Sequence, residues 1–296
     1  MKIIVAGGTG FIGEPLVRKL LPRGDVVVLS RDPSRVRAGR GVAWDGRSDG
    51  DWTREVADAD VVINLAGENI AEGRWTAERK RRLIASRLDA TRALVAAMQK
   101  TPSRERTLVN SSAVGFYGDR GDETLDESAT TGAGFLADLV VQWENAARVA
   151  EPIARVAILR LGVVLAKGGG ALGKMELPFR LGAGGPIGSG RQWMSWIHRD
   201  DVIRMIEWAI DNEGVRGVYN TTAPEPVQNR DFVRALGKAM HRPALVPAPA
   251  FALRIAFGQM ADETLLAGQR AVPARATATG FRFEAATLQQ ALALIY

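Results

Sequence analysis

Lys2-Ile3-Ile4-Val5-Ala6-Gly7-Gly8-Thr9-Gly10-Phe11-Ile12-Gly13-Glu14-Pro15-Leu16-Val17-Arg18-Lys19-Leu20-Leu21 is the stretch that decides the fold. A short, largely β-branched apolar run meets three spaced glycines and then a segment with Leu16, Val17, Leu20 and Leu21 on one helical side. The order is strand, glycine turn, helix. Gly7 permits the positive φ of a tight turn, Gly10 lets backbone approach a pyrophosphate with no Cβ in between, and Gly13 lets the helix pack close on the strand. Thr9, Phe11 and Ile12 fill the turn, and the free N–H groups of the helix start face an anion. Pro15 falls in the first helical turns, where a missing N–H does least harm. This reads as the dinucleotide-binding start of an α/β chain.

Asp25-Val26-Val27-Val28-Leu29-Ser30 is the second parallel strand, followed by Arg31-Asp32-Pro33-Ser34-Arg35. At this point of a dinucleotide fold a carboxylate takes the adenosine ribose 2′-OH, whereas arginine takes a 2′-phosphate. Ser30, Arg31 and Arg35 therefore favour NADP over NAD; the alternative is that Arg31 is a solvated loop charge and Asp32 holds the ribose. Val42-Ala43-Trp44 is a third short strand with Asp45 near the adenine, and Ala59 to Leu65 a fourth. After it, Leu65-Ala66-Gly67 offers small residues along which a cofactor can lie, with Asn64 as a polar strand end.

Thr76 is the expected N-cap of a long helix to about Met98. Arg79, Lys80, Arg81 and Arg82 in its first turns oppose the helix dipole, so they form either a solvated face or an anion site. A fifth strand, Thr107 to Asn110, delivers Ser111-Ser112 to the carboxyl edge of the sheet, where such folds bind ligands. A helix from Gly134 to Ala150 and a strand from Val156 to Arg160 add another βαβ unit, giving at least six strands. The fold class is α/β, a Rossmann-type doubly wound parallel sheet with a smaller, mostly helical C-terminal substrate domain.

Nine glycines between Gly168 and Gly190, interspersed with Lys174 and Arg180 and followed by Arg191, suggest a mobile, cationic, substrate-side insertion. Trp193 to Ile197 alternates as a strand, Asp200 or Asp201 is placed to cap the next helix, and Val218-Tyr219-Asn220 returns to the sheet. Beyond Pro224, short helices separated by prolines suggest a small appended domain, with Thr287 capping the last one. The division is then 1–165 plus about 191–221 for the nucleotide-binding domain, and about 166–190 and 222–296 for the substrate side.

Composition excludes several chemistries. The chain of 296 residues is 46% hydrophobic, enough for a sizeable core. Without cysteine there is no disulfide, thiolate metal site or cysteine nucleophile, and His198 and His241 alone make a histidine zinc site improbable, so no metal is expected and the compartment is expected to be cytoplasmic. No apolar run nears the ~18 residues of a membrane span. The net charge of +6 is scattered among acidic residues with no compact basic and aromatic motif, which suits a phosphorylated ligand and gives no nucleic-acid surface.

These residues carry a family likeness. Gly7 to Gly13, Ser111-Ser112 with Tyr117-Gly118, and Arg191 to Asp201 resemble the extended short-chain dehydrogenase/reductases, the NAD-dependent epimerase/dehydratase family of nucleotide-sugar enzymes. More closely, Asn64 to Ile70 with Arg74-Trp75, Ser111 to Gly118, Trp196-Ile197-His198 and the segment from Ala248 to Leu294 resemble an atypical subgroup known as epimerase-family proteins. The resemblance implies an NAD(P)-dependent oxidoreductase or epimerase acting on a small molecule. It also implies cofactor contacts at Ser111 and an anionic substrate group met by Arg191, with Lys174 nearby in sequence.

The likeness breaks at the proton-transfer machinery. In the wider family a tyrosine whose pKa is lowered by a lysine four residues on exchanges the substrate's hydroxyl proton. Here those positions hold Phe135 and Leu139. Ser112 matches the family's catalytic serine but is no strong base alone. Tyr117, His198, Glu68 and Lys174 are the candidate replacements, His198 having a structural reading beside the catalytic one. Trp75, Trp193 and Trp196 read as core before ligand stacking. Two functions follow: an NADP-dependent enzyme with a non-standard active site, or a non-catalytic NADP-binding sensor. The oligomeric state is not readable from the residues.

Overall fold

The computed structural model describes residues 1–101 and 106–296. At its centre β1 (Lys2–Ala6) leaves Ile3, Ile4, Val5 and Ala6 with no exposed surface. A strand buried on both faces can be continuously apolar because helices cover a parallel sheet on either side. α1 (Gly13–Leu20) lies back against it through Leu16, Val17 and Leu20. β2 (Asp25–Ser30) pairs parallel to β1, and β3 (Arg40–Ala43) pairs with β2. Trp44 falls just outside β3, although its N–H still bonds the Ser30 carbonyl at 3.0 Å.

The chain then crosses to the other side of β1. α2 (Trp52–Ala57), β4 (Val61–Asn64), α3 (Ala77–Gln99) and β5 (Thr107–Ala113) follow, β4 lying beside β1. Thr76 caps α3 as expected, its side chain accepting from the Arg79 N–H at 3.1 Å. Next come β6 (Thr124–Leu125), α4 (Phe135–Arg148), β7 (Arg155–Leu161), β8 (Val163–Leu165) and α5 (Gly170–Arg180). The remainder is β9 (Trp193–Met194), β10 (Trp196–His198), α6 (Arg199–Asp211), β11 (Gly217–Thr221), β12 (Val227–Gln228), α7 (Asn229–Ala239), α8 (Ala250–Phe257), β13 (Arg270–Ala271), α9 (Ala274–Ala278) and α10 (Leu288–Ile295). Thr287 and Gln290 form a capping box on α10.

The main sheet has seven parallel strands in the order β11-β7-β5-β4-β1-β2-β3. The direction of winding reverses between β1 and β4, and that switch point is where an open α/β sheet offers a crevice. Alternation along β1 divides the core. Ile3 and Val5 join α1 and α6 residues on one face, while Ile4 and Ala6 join Leu94, Val95 and Met98 of α3 on the other. Each fully buried side chain of this size is worth about 1.5–3 kcal/mol, so both layers hold the turn at Gly7 in place.

Three sequence expectations change in detail. The Trp193 to Ile197 run is interrupted at Ser195: β9 pairs with β12 and β10 with β8, so it serves two small sheets. Asp200 and Asp201 do not cap α6. The N-cap is His198, whose Nδ1 accepts from the Asp200 N–H at 3.3 Å, and the Asp201 carboxylate accepts from the Glu284 and Ala285 N–H groups at 2.8 and 2.9 Å. The glycine-rich stretch holds α5, whose Leu172 and Phe179 are buried with Trp196, Phe232, Leu288 and Leu292. Ala276 and Phe281, far along the C-terminal region, enter the same core cluster as β1 and α6. No helix among the described residues is long and apolar enough to cross a membrane.

Candidate functional site

Gly7 turns at φ +81°, and the Gly10 N–H closes the turn on the Gly7 carbonyl at 3.0 Å. A Cβ on Gly13 would stand 2.2 Å from that carbonyl oxygen, so the helix can begin where it does only without a side chain there. Ile12 stands at the N-cap of α1 and no side chain caps the helix, which leaves that end to an anion. Beside the turn lies a cavity of about 750 Å³ along the carboxyl edge of the sheet. Gly7, Thr9, Gly10, Ser30, Arg31, Arg35, Asp45, Leu65, Ala66 and Gly67 all line it; Phe11, Ile12, Gly13 and Ser111 do not.

The end of β2 sorts its charges. Asp32 Oδ1 accepts from the Ser34 N–H at 3.1 Å and from its hydroxyl at 2.5 Å, while the Ser30 hydroxyl donates to the Asp32 carbonyl at 2.9 Å. The Asp32 carboxylate is thereby turned into its own loop. Neither Arg31 nor Arg35 has a carboxylate partner among the described residues. Asp45 Oδ1 is likewise occupied by the N–H groups of Arg47 and Ser48 at 2.9 and 2.8 Å; the Ser48 hydroxyl and these amides hold its carboxyl down to about 2.

The other half of the crevice is shaped by Asn64. Its amide donates to Thr91 Oγ1 at 2.9 Å and Asn110 Oδ1 at 2.7 Å, and its Oδ1 receives the Ala66 N–H, which fixes the start of the Leu65 to Gly67 loop. Ser111 donates to the Asn64 carbonyl at 2.8 Å. α5 touches both the glycine turn and the loop after Gly67, outside the cavity lining. The Phe11 ring lies so close to Gly169 that a Cβ there would come within 2.6 Å, and Lys174 bonds the Ala71 carbonyl. Arg191 is exposed at the far end of the glycine-rich stretch, its N–H on Ser189 Oγ.

The candidate catalytic side chains do not converge. Ser112 is 2% exposed and donates to Glu144 Oε1 at 2.7 Å. Glu144 in turn binds Arg160 through both oxygens, at 2.7 and 2.9 Å. Arg160 donates to the Tyr117 hydroxyl at 3.0 Å, and that hydroxyl donates to Asn220 Oδ1 at 2.7 Å. This closed network spends Ser112 and Tyr117 on internal bonds, and burial pushes the Tyr117 hydroxyl above its ordinary pKa, away from a base. His198 is buried as the α6 cap. Burial raises the Glu68 carboxyl, but Arg82 and Arg79, at 2.9 and 2.6 Å, outweigh it and hold it below the ordinary value.

Phe135 and Leu139 sit in an apolar cluster with Trp75, Leu83, Trp143 and Met260, the Phe135 ring edge-on to Trp75 at 5.1 Å. Trp196 is fully buried, whereas Trp193 is half-exposed beneath the Arg270 guanidinium, 4.4 Å away. The sequence reading missed Glu263. Its carboxylate accepts from the Phe135 and Leu136 N–H groups at 3.2 and 2.9 Å, capping α4 from the C-terminal region. A partner 128 positions away leaves no local signal.

Comparison with known proteins agrees with this architecture. Residues 3–221 match the NAD dependent epimerase/dehydratase family and residues 248–295 a domain of unknown function, DUF1731. Epimerase family protein Mb2239 of Mycobacterium bovis is 40% identical over 293 residues, covering 98% of this chain and 96% of the relative. The crystal structure of human epimerase family protein SDR39U1 with NADPH is similar at a TM-score of 0.90 and 37% identity, covering 100% of this chain and 99% of that one. MoeE5 in complex with UDP-glucuronic acid and NAD, at 19% identity and a TM-score of 0.80 over 100% of this chain and 97% of that one, shares the fold. With the glycine turn, the seven-stranded parallel sheet and near full-length relatives in agreement, the chain belongs to the NAD dependent epimerase/dehydratase family and carries the DUF1731 region at its C-terminal end.

Proposed function

We propose that the chain binds NADP(H) in preference to NAD(H) and acts as an oxidoreductase or epimerase-like enzyme on a small molecule, without the tyrosine and lysine of its wider family. The observation that carries the cofactor reading is the end of β2, where Arg31 and Arg35 have no carboxylate partner among the described residues while Asp32 is bound within its own turn. Arg31 offers a planar fork to a ribose 2′-phosphate, and Ser30 stands beside it. Human SDR39U1, crystallised with NADPH, supports the same choice. Gly7, Thr9 and Gly10 would hold the pyrophosphate against the start of α1, and Leu65 to Gly67 the remainder of the dinucleotide.

The bound nicotinamide supplies or accepts a hydride. The anionic group of a substrate is assigned to Lys174, within the glycine-rich stretch, and Arg191, just after it. A second reading, a non-catalytic NADP-binding regulator, is favoured by one specific observation: Ser112 and Tyr117 are sealed in the Glu144–Arg160 network.

Cofactor titration tests the first statement. A charge-assisted contact is worth about 1.5–3 kcal/mol, so Arg31→Ala should weaken NADPH about ten- to a hundredfold and NADH little, with Arg31→Ala/Arg35→Ala weaker still. Equal affinity of the parent for both cofactors, or a uniform loss in the double variant, would return the ribose to Asp32. A screen of NADPH consumption across carbonyl and sugar substrates separates enzyme from regulator. Turnover on any class establishes the enzyme; tight binding without turnover throughout favours the regulator.

A further inference from the structure

The cofactor cavity is lined by four carboxylates, Asp32, Asp45, Glu68 and Asp89. Three are already engaged: Asp32 by Ser34, Asp45 by the Arg47 and Ser48 amides, Glu68 by Arg79 and Arg82. Asp89, on α3, has no hydrogen bond and no ion pair among the described residues, yet it is only partly exposed and borders the cavity. Among the described residues, Asp89 is therefore the cavity carboxylate left to accept from a donor on a bound molecule.

Its surroundings say what arrives. Ala90, the next residue, lines the same cavity as Leu29 and Trp44, at the ends of β2 and β3, and shares a buried cluster with them, which points to the adenosine end for Asp89. The cavity is also lined by Leu29, Trp44, Ala66 and Ala85, apolar or small side chains that suit the flat body of a purine. Adenine brings one donor to such a site, its exocyclic amine. Building on the reading that NADP lies in this cavity, we propose that Asp89 accepts the adenine amine and sets the nucleobase specificity of the site, while Asp45, the sequence candidate for that place, serves to hold its own turn.

The test compares NADPH with its deaminated analogue, nicotinamide hypoxanthine dinucleotide phosphate, in which a carbonyl replaces the amine and ring N1 gains a hydrogen. The parent should prefer NADPH by about tenfold, since at the exocyclic position a carbonyl oxygen now meets the carboxylate and the analogue's donor has moved to ring N1. Asp89→Ala should weaken NADPH about tenfold and bring the two ligands to near equality. Asp89→Asn should instead gain affinity for the analogue, because an amide can accept from an amine and donate to a carbonyl. That gain cannot come from a folding defect, and thermal melts of the three proteins accompany the titrations. Asp45→Ala should leave the ratio unchanged. The proposal is overturned if Asp89→Ala weakens both ligands by the same factor or neither, or if Asp89→Asn fails to narrow the ratio. A parent that binds NADH as tightly as NADPH while discriminating against the analogue would reject the 2′-phosphate reading and leave Asp89 standing; a parent that binds none of them rejects both.

Discussion

Single residues in this chain are decided by what they are bonded to more than by what they are. Ser112 carries the hydroxyl that a family resemblance marks as catalytic, and the fold points it at Glu144. Glu144 is fully buried among Ser112, Arg160 and the partly exposed Arg148, so its charge is compensated by the protein rather than by water. Removing one member of such a pair leaves the other buried alone. Glu144→Gln should therefore cost about 3–5 kcal/mol in urea unfolding. Replacing both, Glu144→Gln with Arg160→Met, should recover a substantial part of it. If the two changes simply add, the pair is not the unit described here. NADPH affinity of the refolded single variant reports whether the network touches the cofactor, and no change is expected.

At the scale of elements, charges tie together strand ends that hydrophobic pattern alone leaves loosely placed. Glu55 of α2 bonds Lys2 at the start of β1 at 2.6 Å and Arg40 at the start of β3 at 2.7 Å. The Arg40 hydrogen bond, with Lys2 beside it, outweighs burial and holds the Glu55 carboxyl down to about 2 from an ordinary 4.5. Because the folded pKa is the lower one, the stabilisation is fully present above about pH 4.5 and is lost as the pH falls through about 2. Glu55→Gln should be less stable than the parent by about 2 kcal/mol at pH 7. The two should converge in denaturant titrations near pH 2. A difference that persists at that pH would assign the loss to packing. A comparable tie, between Glu263 and the start of α4, shows the C-terminal region holding a helix of the nucleotide-binding part.

For the molecule as a whole, that tie and the shared core argue against two independent folding units. Ala276 and Phe281 enter the cluster built on β1 and α6, and α10 packs with α7 and with the Phe179 face of α5. Calorimetric unfolding should give one transition whose calorimetric and van't Hoff enthalpies agree. Two resolved transitions, or a C-terminal region that melts first, would restore the appended-domain reading made from the prolines beyond Pro224.

What the sequence alone determined is local or periodic. The strand and helix at each side of Gly7, the capping by Thr76 and Thr287, and the parallel repeat through Arg160 are all written within a few residues, where turn geometry and helix capping act. The family resemblance sets Phe135 and Leu139 where a tyrosine and a lysine would stand, a reading that also needs only two positions of one helix. Tertiary structure decided which polar groups remain available. Asp32 and Asp45 look like ligands in a sequence and prove to be bonded within their own turns, while Asp89 looks like any charge on a long helix and lines the cavity with no partner among the described residues. Ser112 and Tyr117 met Glu144 and Arg160 across 32 and 43 positions, and Glu263 met α4 across 128. Hydrogen bonds compete for each donor and acceptor over the whole folded chain, so the partner that wins at a buried site is fixed by the packing of elements distant in sequence.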